Sequence, residues 1–335
     1  MRLVRPMSTD AEGAGMRVAV IDIGTNSTRL LVADVTETSQ PKGGQTPFNV
    51  VTEVERRSTV TRLGRGVDTS GTLAAEAIED VCAAVGDYIE IYRPLEPDRL
   101  VAIATSAVRD ADNGSAFLAE LRERFALDAR VVDGAEEARL TYLGVTSARD
   151  AGDATLVVDI GGGSTELVLG SGREVSFFAS LQAGTVRHTE RHLSHDPPRP
   201  EELEALAADL HGLIAGALAD EPITCANHGI AVAGTPTSLA AIDQELDPYD
   251  PDLVHGHLLS LATIQRMLSS LASKPLDERL KVKGLHPGRA PTIVAGVVIL
   301  VEVMRAFGLT EIEVSEHDIL WGIALDAAGA PAPAA

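Results

Sequence analysis

One pattern occurs twice in this sequence, as Asp22-Ile23-Gly24-Thr25-Asn26-Ser27-Thr28 and, 137 residues later, as Asp159-Ile160-Gly161-Gly162-Gly163-Ser164-Thr165. Each copy follows an apolar run and leads into another. A strand, a tight turn around glycine and a returning strand is the simplest structure for such a pattern. Two such hairpins predict a duplicated domain, with a phosphate chain or a nucleotide held between the copies.

The composition is that of a globular protein with more than one domain. The chain has 335 residues, of which 45% are hydrophobic and 3% aromatic, so the cores are expected to consist of Ala, Val, Leu and Ile. A net charge of −21 argues against a nucleic-acid partner, because surfaces that bind nucleic acid normally carry a basic excess. The same charge repels an anionic substrate at long range. Any phosphate affinity must therefore come from a local site.

No stretch has the features of a membrane span or a signal peptide. The most apolar run, Ile293 to Leu300, is bounded by Arg289 and Glu302 and is too short to cross a bilayer. The first fifteen residues lack a sustained apolar core. Cys82 and Cys225 have no Cys-x-x-Cys partner, so neither a disulfide framework nor a zinc site is expected, and the cytoplasm is the expected location.

The residue types of the two turns suit phosphate and a hard cation. Glycine lets the backbone approach a phosphate closely, and successive amide N–H groups at such a turn form an anion cradle to which Ser and Thr hydroxyls add donors. Asp22 and Asp159 are poor phosphate ligands, but they suit Mg²⁺, which binds one or two carboxylates together with phosphate oxygens. Glu166 is a third candidate ligand. The alternative is that each aspartate only caps a β-turn.

The two turns resemble the first two motifs of the exopolyphosphatase / guanosine pentaphosphate phosphohydrolase family. Further blocks similar to family motifs follow in family order, and the matches extend from about residue 16 to residue 326. These blocks are Ala104-Thr105-Ser106-Ala107-Val108-Arg109-Asp110-Ala111, Gly134-Ala135-Glu136-Glu137-Ala138-Arg139-Leu140, Asp196-Pro197-Pro198, Gly234-Thr235-Pro236-Thr237-Ser238-Leu239 and Gly288-Arg289-Ala290. The resemblance therefore covers nearly the whole chain.

The resemblance implies a role for each residue at a matching position. Glu137 falls where the family has its catalytic carboxylate, which suits a general base that takes a proton from the attacking water. Its neighbour Glu136 is expected only to favour a helix N-terminus. The segment Gly234 to Ser238 is similar to the part of the ATPase relatives that contacts adenosine, and it equally fits an ordinary strand-to-helix turn. The implied phosphate-binding residues are Gly24, Thr25, Asn26, Ser27, Arg29, Arg109, Gly161, Gly162, Gly163, Ser164, Thr165 and Arg289, and the metal ligands are Asp22, Asp159 and Glu166.

The same resemblance implies an α/β fold with two ribonuclease-H-like lobes around an interdomain cleft, as in the actin-like and sugar-kinase-like ATPase superfamily. Lobe one is expected over residues 16–139 and lobe two over residues 140–316. A last helix, at residues 317–328, is expected to return to lobe one. Residues 1–15 and 329–335 are expected to be disordered extensions.

Three histidines, His188, His192 and His195, have a spacing that fits one side of a helix, and such a group is compatible with a metal site. No cysteine or cluster of acidic residues lies near them in the sequence. A solvent-facing helix surface is therefore the expected environment of all three.

The expected function is Mg²⁺-dependent hydrolysis of the terminal phosphoanhydride of inorganic polyphosphate, with release of orthophosphate. The resemblance leaves open a monovalent cation as an additional cofactor and a homodimer as the assembly. Guanosine pentaphosphate is the alternative substrate, because the anhydride is the same. A kinase or ATPase of the superfamily and a non-catalytic polyphosphate or alarmone sensor are more distant alternatives, against which Glu137 argues. The sequence ends soon after Trp321, before the extra helical domains that help the family's long members to enclose long polymers, so processive action on long chains is not expected.

Overall fold

The computed structural model of the protein contains two mixed β-sheets with helices packed against both. It describes residues 15–37, 49–147, 149, 154–172, 174–219, 226 and 228–329. The predicted disordered extensions therefore lie almost entirely outside the described residues, as does Cys225. Within the described part of the chain, each helix is too short or too polar to span a bilayer.

The first sheet has five strands in the order β3-β2-β1-β4-β5. The strands of this sheet and the helices between them are, in chain order, β1 (Met16–Ile23), β2 (Ser27–Glu37), β3 (Asn49–Val60), α1 (Val67–Ser70), α2 (Ala75–Tyr92), β4 (Arg99–Ala104), α3 (Ser106–Asp110), α4 (Gly114–Phe125) and β5 (Ala129–Val131). The first three strands form an antiparallel meander, whereas β4 runs parallel to β1 and β5 parallel to β4. The apolar run in β1 is buried on both faces, and α2 and α4 cover one of them.

The second sheet has six strands in the order β10-β11-β9-β6-β7-β8. The remaining elements are α5 (Gly134–Thr146), β6 (Thr155–Ile160), β7 (Thr165–Ser171), β8 (Glu174–Leu181), α6 (Thr185–His192), α7 (Pro200–Ala217), β9 (His228–Val232), α8 (Gly234–Asp243), α9 (Pro251–Val254), β10 (Leu258–Ser260), α10 (Leu261–Ala272), α11 (Leu276–Arg279), α12 (Ile293–Ala306), β11 (Glu311–Val314) and α13 (Ile319–Ala327). Helix α12 is almost entirely apolar, and it packs between the sheet and helices α6, α7 and α10.

The two sheets repeat one topology. Strands β6, β7 and β8 form an antiparallel meander like that of β1, β2 and β3, and β9 runs parallel to β6 as β4 does to β1. This strand order is the ribonuclease-H-like arrangement that the repeated turn motif and the family resemblance predict. The predicted α/β fold of two such lobes is thereby confirmed.

Helices α5 and α13 lie between the two sheets. Leu140 and Leu143 of α5 pack with α13 in the core of the first sheet, whereas Ala138 and Tyr142 on another face of α5 pack against the second sheet. The helices cross at Gly144 and Gly322, where any side chain would meet the backbone of the partner helix. Helix α5 also contacts β6, β7 and β8, and Glu137 in its first turn lies near Asp159 and Glu166 of the second sheet.

Candidate active site

The two glycine turns have the same geometry. The Gly24 N–H donates to the Ser27 carbonyl at 3.0 Å, and the Gly161 N–H donates to the Ser164 carbonyl at 3.0 Å. The turns also touch each other, since a Cβ atom added to Gly162 would lie 2.9 Å from the Cβ and Cγ2 atoms of Thr25. The hairpins therefore bring the ends of β1, β2, β6 and β7 to one place.

The charged residues that face each other beside these turns differ between the two hairpins. In the first hairpin Asp22 is paired across the strands with Arg29, so opposite charges meet. In the second hairpin Asp159 is paired with Glu166, so two carboxylates meet. Like charges directly opposite each other destabilise a sheet, and here both are buried. The second hairpin therefore has an excess of buried negative charge that its own strands do not neutralise.

Arg29 neutralises the first hairpin by binding two carboxylates. Its Nε and Nη2 atoms donate to Asp22 Oδ2 at 2.9 and 2.6 Å, and its Nη1 atom donates to Asp318. Asp318 is the N-cap of α13, where its Oδ1 atom accepts a hydrogen bond from the Leu320 N–H at 2.9 Å. The second oxygen of Asp22, Oδ1, is buried and accepts no hydrogen bond from any described residue. Burial raises the pKa of Asp22, although Arg29 opposes this shift.

Among the described residues, the hydrogen-bond partners of the two carboxylates of the second hairpin are hydroxyl groups. Asp159 accepts a hydrogen bond from Thr141 at 3.2 Å, and Glu166 accepts one from Ser180 at 2.8 Å. Burial raises the pKa of Asp159 to about 6, with Arg29 as the main opposing charge. Burial and the neighbouring charge of Asp159 raise the pKa of Glu166 to about 8. This pair therefore favours either a retained proton or a bound cation.

Glu137 lies in the first turn of α5, which is capped by the Asp133 carboxylate through the Glu136 N–H at 2.8 Å. Only 8% of Glu137 is exposed. Its Oε2 atom accepts a hydrogen bond from Arg109 Nη1 at 3.3 Å, and the same nitrogen donates to the Val132 carbonyl at 2.8 Å. Burial raises the pKa of Glu137 well above its usual range, and the nearby carboxylates of the second hairpin add to this shift.

The described residues also enclose a cavity of about 900 Å³ beside Arg29 and Asp318. Six basic and four acidic side chains line it, in contrast to the acidic protein as a whole: Arg29, Arg56, Arg57, Lys281, Lys283 and Arg289, with Glu53, Asp247, Glu316 and Asp318. Among the described residues, Arg289 is the one of these cations that has no carboxylate within 4.0 Å. Burial, together with the charge of Arg29, lowers the pKa of Arg289 to about 10. The cavity therefore favours an anion at this guanidinium.

The predicted site residues fall into two groups in the structure. The first group surrounds the contact between the turns and contains Glu137, Arg109 and the carboxylates of both hairpins. Arg289 belongs to the cavity instead, where it packs against Gly234 at the start of α8. Arg29 belongs to both groups. The hydroxyl of Thr165 is fully buried and donates to the Ala183 carbonyl, so it supports the hairpin.

Sequence reasoning missed several residues of this region. Thr141 and Ser180 orient the carboxylates of the second hairpin, and Asp318 binds Arg29 across 289 positions of sequence. An aspartate immediately before an apolar helix is a recognisable N-cap signal, so the role of Asp318 as the N-cap of α13 is predictable from the sequence. Nothing local in the sequence indicates its ion pair with Arg29.

The prediction for the histidines is wrong for His188. This side chain is 0% exposed, because α6 packs against α7 and α12 and turns that face inward. His192 is half-buried, and its Nε2 atom lies 2.9 Å from the Asp209 Oδ2 atom of α7. His195 is exposed as predicted, but it lies beyond the end of α6 rather than on the helix, and it pairs with Glu202 at 2.8 Å. The acidic partner was missed because it comes from the next helix.

Comparison with known proteins supports the interpretation of the motifs. Residues 40–328 match the sequence model of the Ppx/GppA phosphatase family. Exopolyphosphatase 2 of Mycobacterium tuberculosis is 37% identical over 323 residues, which cover 93% of this chain and 99% of the relative.

Solved structures agree with this assignment. An exopolyphosphatase-like protein superposes with a TM-score of 0.85 at 34% identity, over 93% of this chain and 98% of its own. The Aquifex aeolicus member of the Ppx/GppA family superposes with a TM-score of 0.77 at 30% identity, over 94% of this chain and 98% of its own. The resemblance inferred from the motifs is confirmed, and the chain belongs to the Ppx/GppA phosphatase family.

Proposed function

We propose that this protein is an exopolyphosphatase, which hydrolyses the terminal phosphoanhydride bond of inorganic polyphosphate and releases orthophosphate. The observation that carries the proposal is the placement of Glu137, a buried carboxylate held by Arg109 beside two glycine turns that touch each other. The similarity to a mycobacterial exopolyphosphatase over almost the full length of both chains supports the same activity.

The basic cavity is the proposed binding site for the phosphate chain. A polyanion is repelled by the overall charge of −21, so its affinity must arise where cations are concentrated. Arg289 has no carboxylate partner among the described residues and is close enough to Arg29 for the two charges to oppose each other. A phosphate between these guanidiniums relieves that repulsion, and arginine binds phosphate oxygens in bidentate fashion.

The carboxylates beside the turns fit a divalent cation. Asp22 Oδ1 is buried without a hydrogen-bond donor among the described residues, and Asp159 faces Glu166 with no cation of its own hairpin between them. All three are hard oxygen ligands of the kind that Mg²⁺ binds, and we propose that they hold it. When bound, Mg²⁺ would supply positive charge to the phosphate oxygens at which negative charge develops.

Glu137 is the proposed general base. Arg109 holds its Oε2 atom, and no described residue donates a hydrogen bond to Oε1, so Oε1 is the atom that would accept a proton from water. The water oxygen would then form a bond to the terminal phosphorus while the bond from that phosphorus to the bridging oxygen breaks. Orthophosphate leaves, together with a chain shorter by one phosphate. The raised pKa of Glu137 makes it a stronger base than an exposed carboxylate.

The test is orthophosphate release by the Glu137→Gln variant with Mg²⁺ and polyphosphate. We expect kcat to fall by about 10²- to 10⁴-fold, the usual contribution of a general base, with little change in substrate affinity. Glu136→Gln is the matched control, because this neighbour is partly exposed and pairs with Arg130. Full turnover by Glu137→Gln, with binding unchanged, would show that this carboxylate is not the base.

Guanosine pentaphosphate is a second candidate substrate, favoured by one observation. Tyr249 is 48% exposed and lines the cavity together with Gly234 and Ser238, so its ring is a candidate surface for a stacked nucleobase. The same assay, run side by side on polyphosphate and guanosine pentaphosphate, ranks the two. Loss of activity on the guanosine substrate alone in a Tyr249→Ala variant would support base stacking.

A further inference from the structure

A cluster of potential metal ligands lies outside the proposed active site. His188 and His192 are one helical turn apart on α6, and Asp209 faces them from α7. One ligand atom from each of the three lies within 4.8 Å of the other two. The Asp209 Oδ2 atom is 3.4 Å from His188 Nε2 and 2.9 Å from His192 Nε2. Two imidazole nitrogens therefore converge on one carboxylate oxygen.

His188 has no other evident role in the described structure. It is 0% exposed, and neither of its ring nitrogens has a hydrogen-bond partner among the described residues. A buried polar group without a partner is costly, typically by about 1 to 3 kcal/mol. The Nε2 atom is near Asp209 but is not aligned with it for a hydrogen bond. The ring nevertheless directs this nitrogen into the cluster, where a bound metal ion would give it a partner.

We propose that His188, His192 and Asp209 bind a transition-metal ion of the Zn²⁺ class and thereby join α6 to α7. Zinc bonds of about 2.0 to 2.2 Å to nitrogen and oxygen in a tetrahedral site require ligand atoms about 3.3 Å apart. The His188–Asp209 separation of 3.4 Å matches this spacing, and the His192–Asp209 separation of 2.9 Å would have to widen slightly when the ion replaces the hydrogen bond. Two histidines and a carboxylate are a common zinc ligand set with an open fourth position. Mg²⁺ is a poorer fit, because it prefers oxygen ligands.

The surroundings of the cluster are compatible with this ion. His188 is fully buried with both ring nitrogens unpartnered among the described residues, and a neutral imidazole is the form that donates a lone pair to a metal ion. Arg191 has its Nη1 atom 3.8 Å from Asp209, but its Nη2 atom is held by Asp68 at 2.9 Å. The Asp209 side chain is 33% exposed, which gives the ion a path from solvent.

The helix that carries the two histidines also contacts both lobes. At its start, the Thr185 and Val186 N–H groups donate to the carbonyls of Gly161 and Gly162, each at 2.9 Å. Farther along, the Glu190 carboxylate accepts from the Gly66 N–H of the first lobe at 3.0 Å. An ion that fixes the C-terminal turn of α6 on α7 would therefore steady the helix that supports the second glycine turn.

The test is isothermal titration calorimetry of the protein with ZnCl₂ in excess Mg²⁺, which competes with zinc for the carboxylates of the proposed active site. We expect one saturable zinc equivalent and a rise in Tm of roughly 3 to 4 °C when free zinc exceeds Kd about 100-fold. His192→Ala should weaken zinc binding by more than about tenfold, because even residues that only support metal ligands contribute about 10- to 100-fold.

His211→Ala is the matched control, since this exposed histidine lies on α7 two positions from Asp209. Its zinc affinity should equal that of the wild type. Thermal melts without zinc verify that His192→Ala is folded. The proposal is overturned if the wild type shows no saturable zinc binding in excess Mg²⁺, or if His192→Ala binds zinc as the wild type does. It is equally overturned if His211→Ala loses as much affinity as His192→Ala.

Discussion

Replacing Glu166 with glutamine tests whether the second hairpin holds uncompensated negative charge. Burial and Asp159 raise the pKa of Glu166 from 4.5 to about 8 in the folded protein. Between these two pH values the folded state keeps a proton that the unfolded state has released, so stability falls as pH rises through this window. One pKa unit corresponds to about 1.4 kcal/mol, so the loss of unfolding free energy in the wild type amounts to roughly 3 to 5 kcal/mol.

The measurement is urea unfolding in the presence of a chelator, at a series of pH values from about 5 to about 9. Glu166→Gln removes one titrating group but keeps an oxygen that accepts the Ser180 hydrogen bond. Asp159 and Glu137 retain raised pKa values in this variant, so its stability should still fall as pH rises, but less steeply than that of the wild type between about pH 6 and about pH 8. Glu311→Gln is the control, because this exposed glutamate lies on a strand of the same sheet. Equal pH slopes for the wild type and Glu166→Gln would refute the reasoning.

Adding Mg²⁺ extends the same experiment. A cation that binds only the folded protein raises its stability by RT ln(1 + [Mg²⁺]/Kd), which is about 2.7 kcal/mol at 100 times Kd. Mg²⁺ should raise the unfolding free energy of the wild type by most of this amount at the alkaline end of the series, where the carboxylates of the second hairpin are ionised. Glu166→Gln should recover much less. Equal recovery by both proteins would exclude Glu166 as a ligand.

Three further predictions follow from the geometry. Because burial and nearby carboxylates raise the pKa of Glu137, kcat/KM should fall as pH falls through that raised value; a profile that stays flat down to about pH 5 would contradict the base assignment. Gly162→Ala should lower the unfolding free energy by about 1 to 3 kcal/mol and reduce kcat, because its Cβ would lie 2.9 Å from Thr25; thermal melts and phosphate release measure both. Arg289→Gln should raise KM for polyphosphate while kcat changes little, and an unchanged KM would remove Arg289 from the substrate site.

The duplicated fold was predictable because its determinants are local. An aspartate, glycine and hydroxyl residues between two apolar runs specify a turn with flanking strands, and both copies form hairpins closed by equivalent hydrogen bonds. The position of Glu137 at a helix start is predictable for the same reason, since Asp133 precedes it as an N-cap. Short-range signals of this kind do not depend on how the lobes pack.

The missed features all depend on partners that are distant in sequence. Asp318 reaches Arg29 only after α13 packs against the first sheet, and Asp209 reaches the histidines only because α7 lies beside α6. The short strand β10 has no separate signal in the sequence, because its residues, Leu258–Ser260, continue the apolar spacing of the helix that follows. Tertiary pairing decides the contacts of Asp318 and Asp209, and the local periodicity of the sequence does not indicate which elements pack together.

The two hairpins differ in the charge of the residue that faces their aspartate. At equivalent positions opposite an aspartate, the first hairpin has Arg29 and the second has Glu166. The first is neutralised within the chain by an ion pair that also fixes α13 through Asp318. The second lacks a cation of its own, and Glu137 adds a further buried carboxylate. Folding therefore leaves a negative site beside a basic cavity, which is the arrangement that a phosphate chain accompanied by a divalent cation would neutralise.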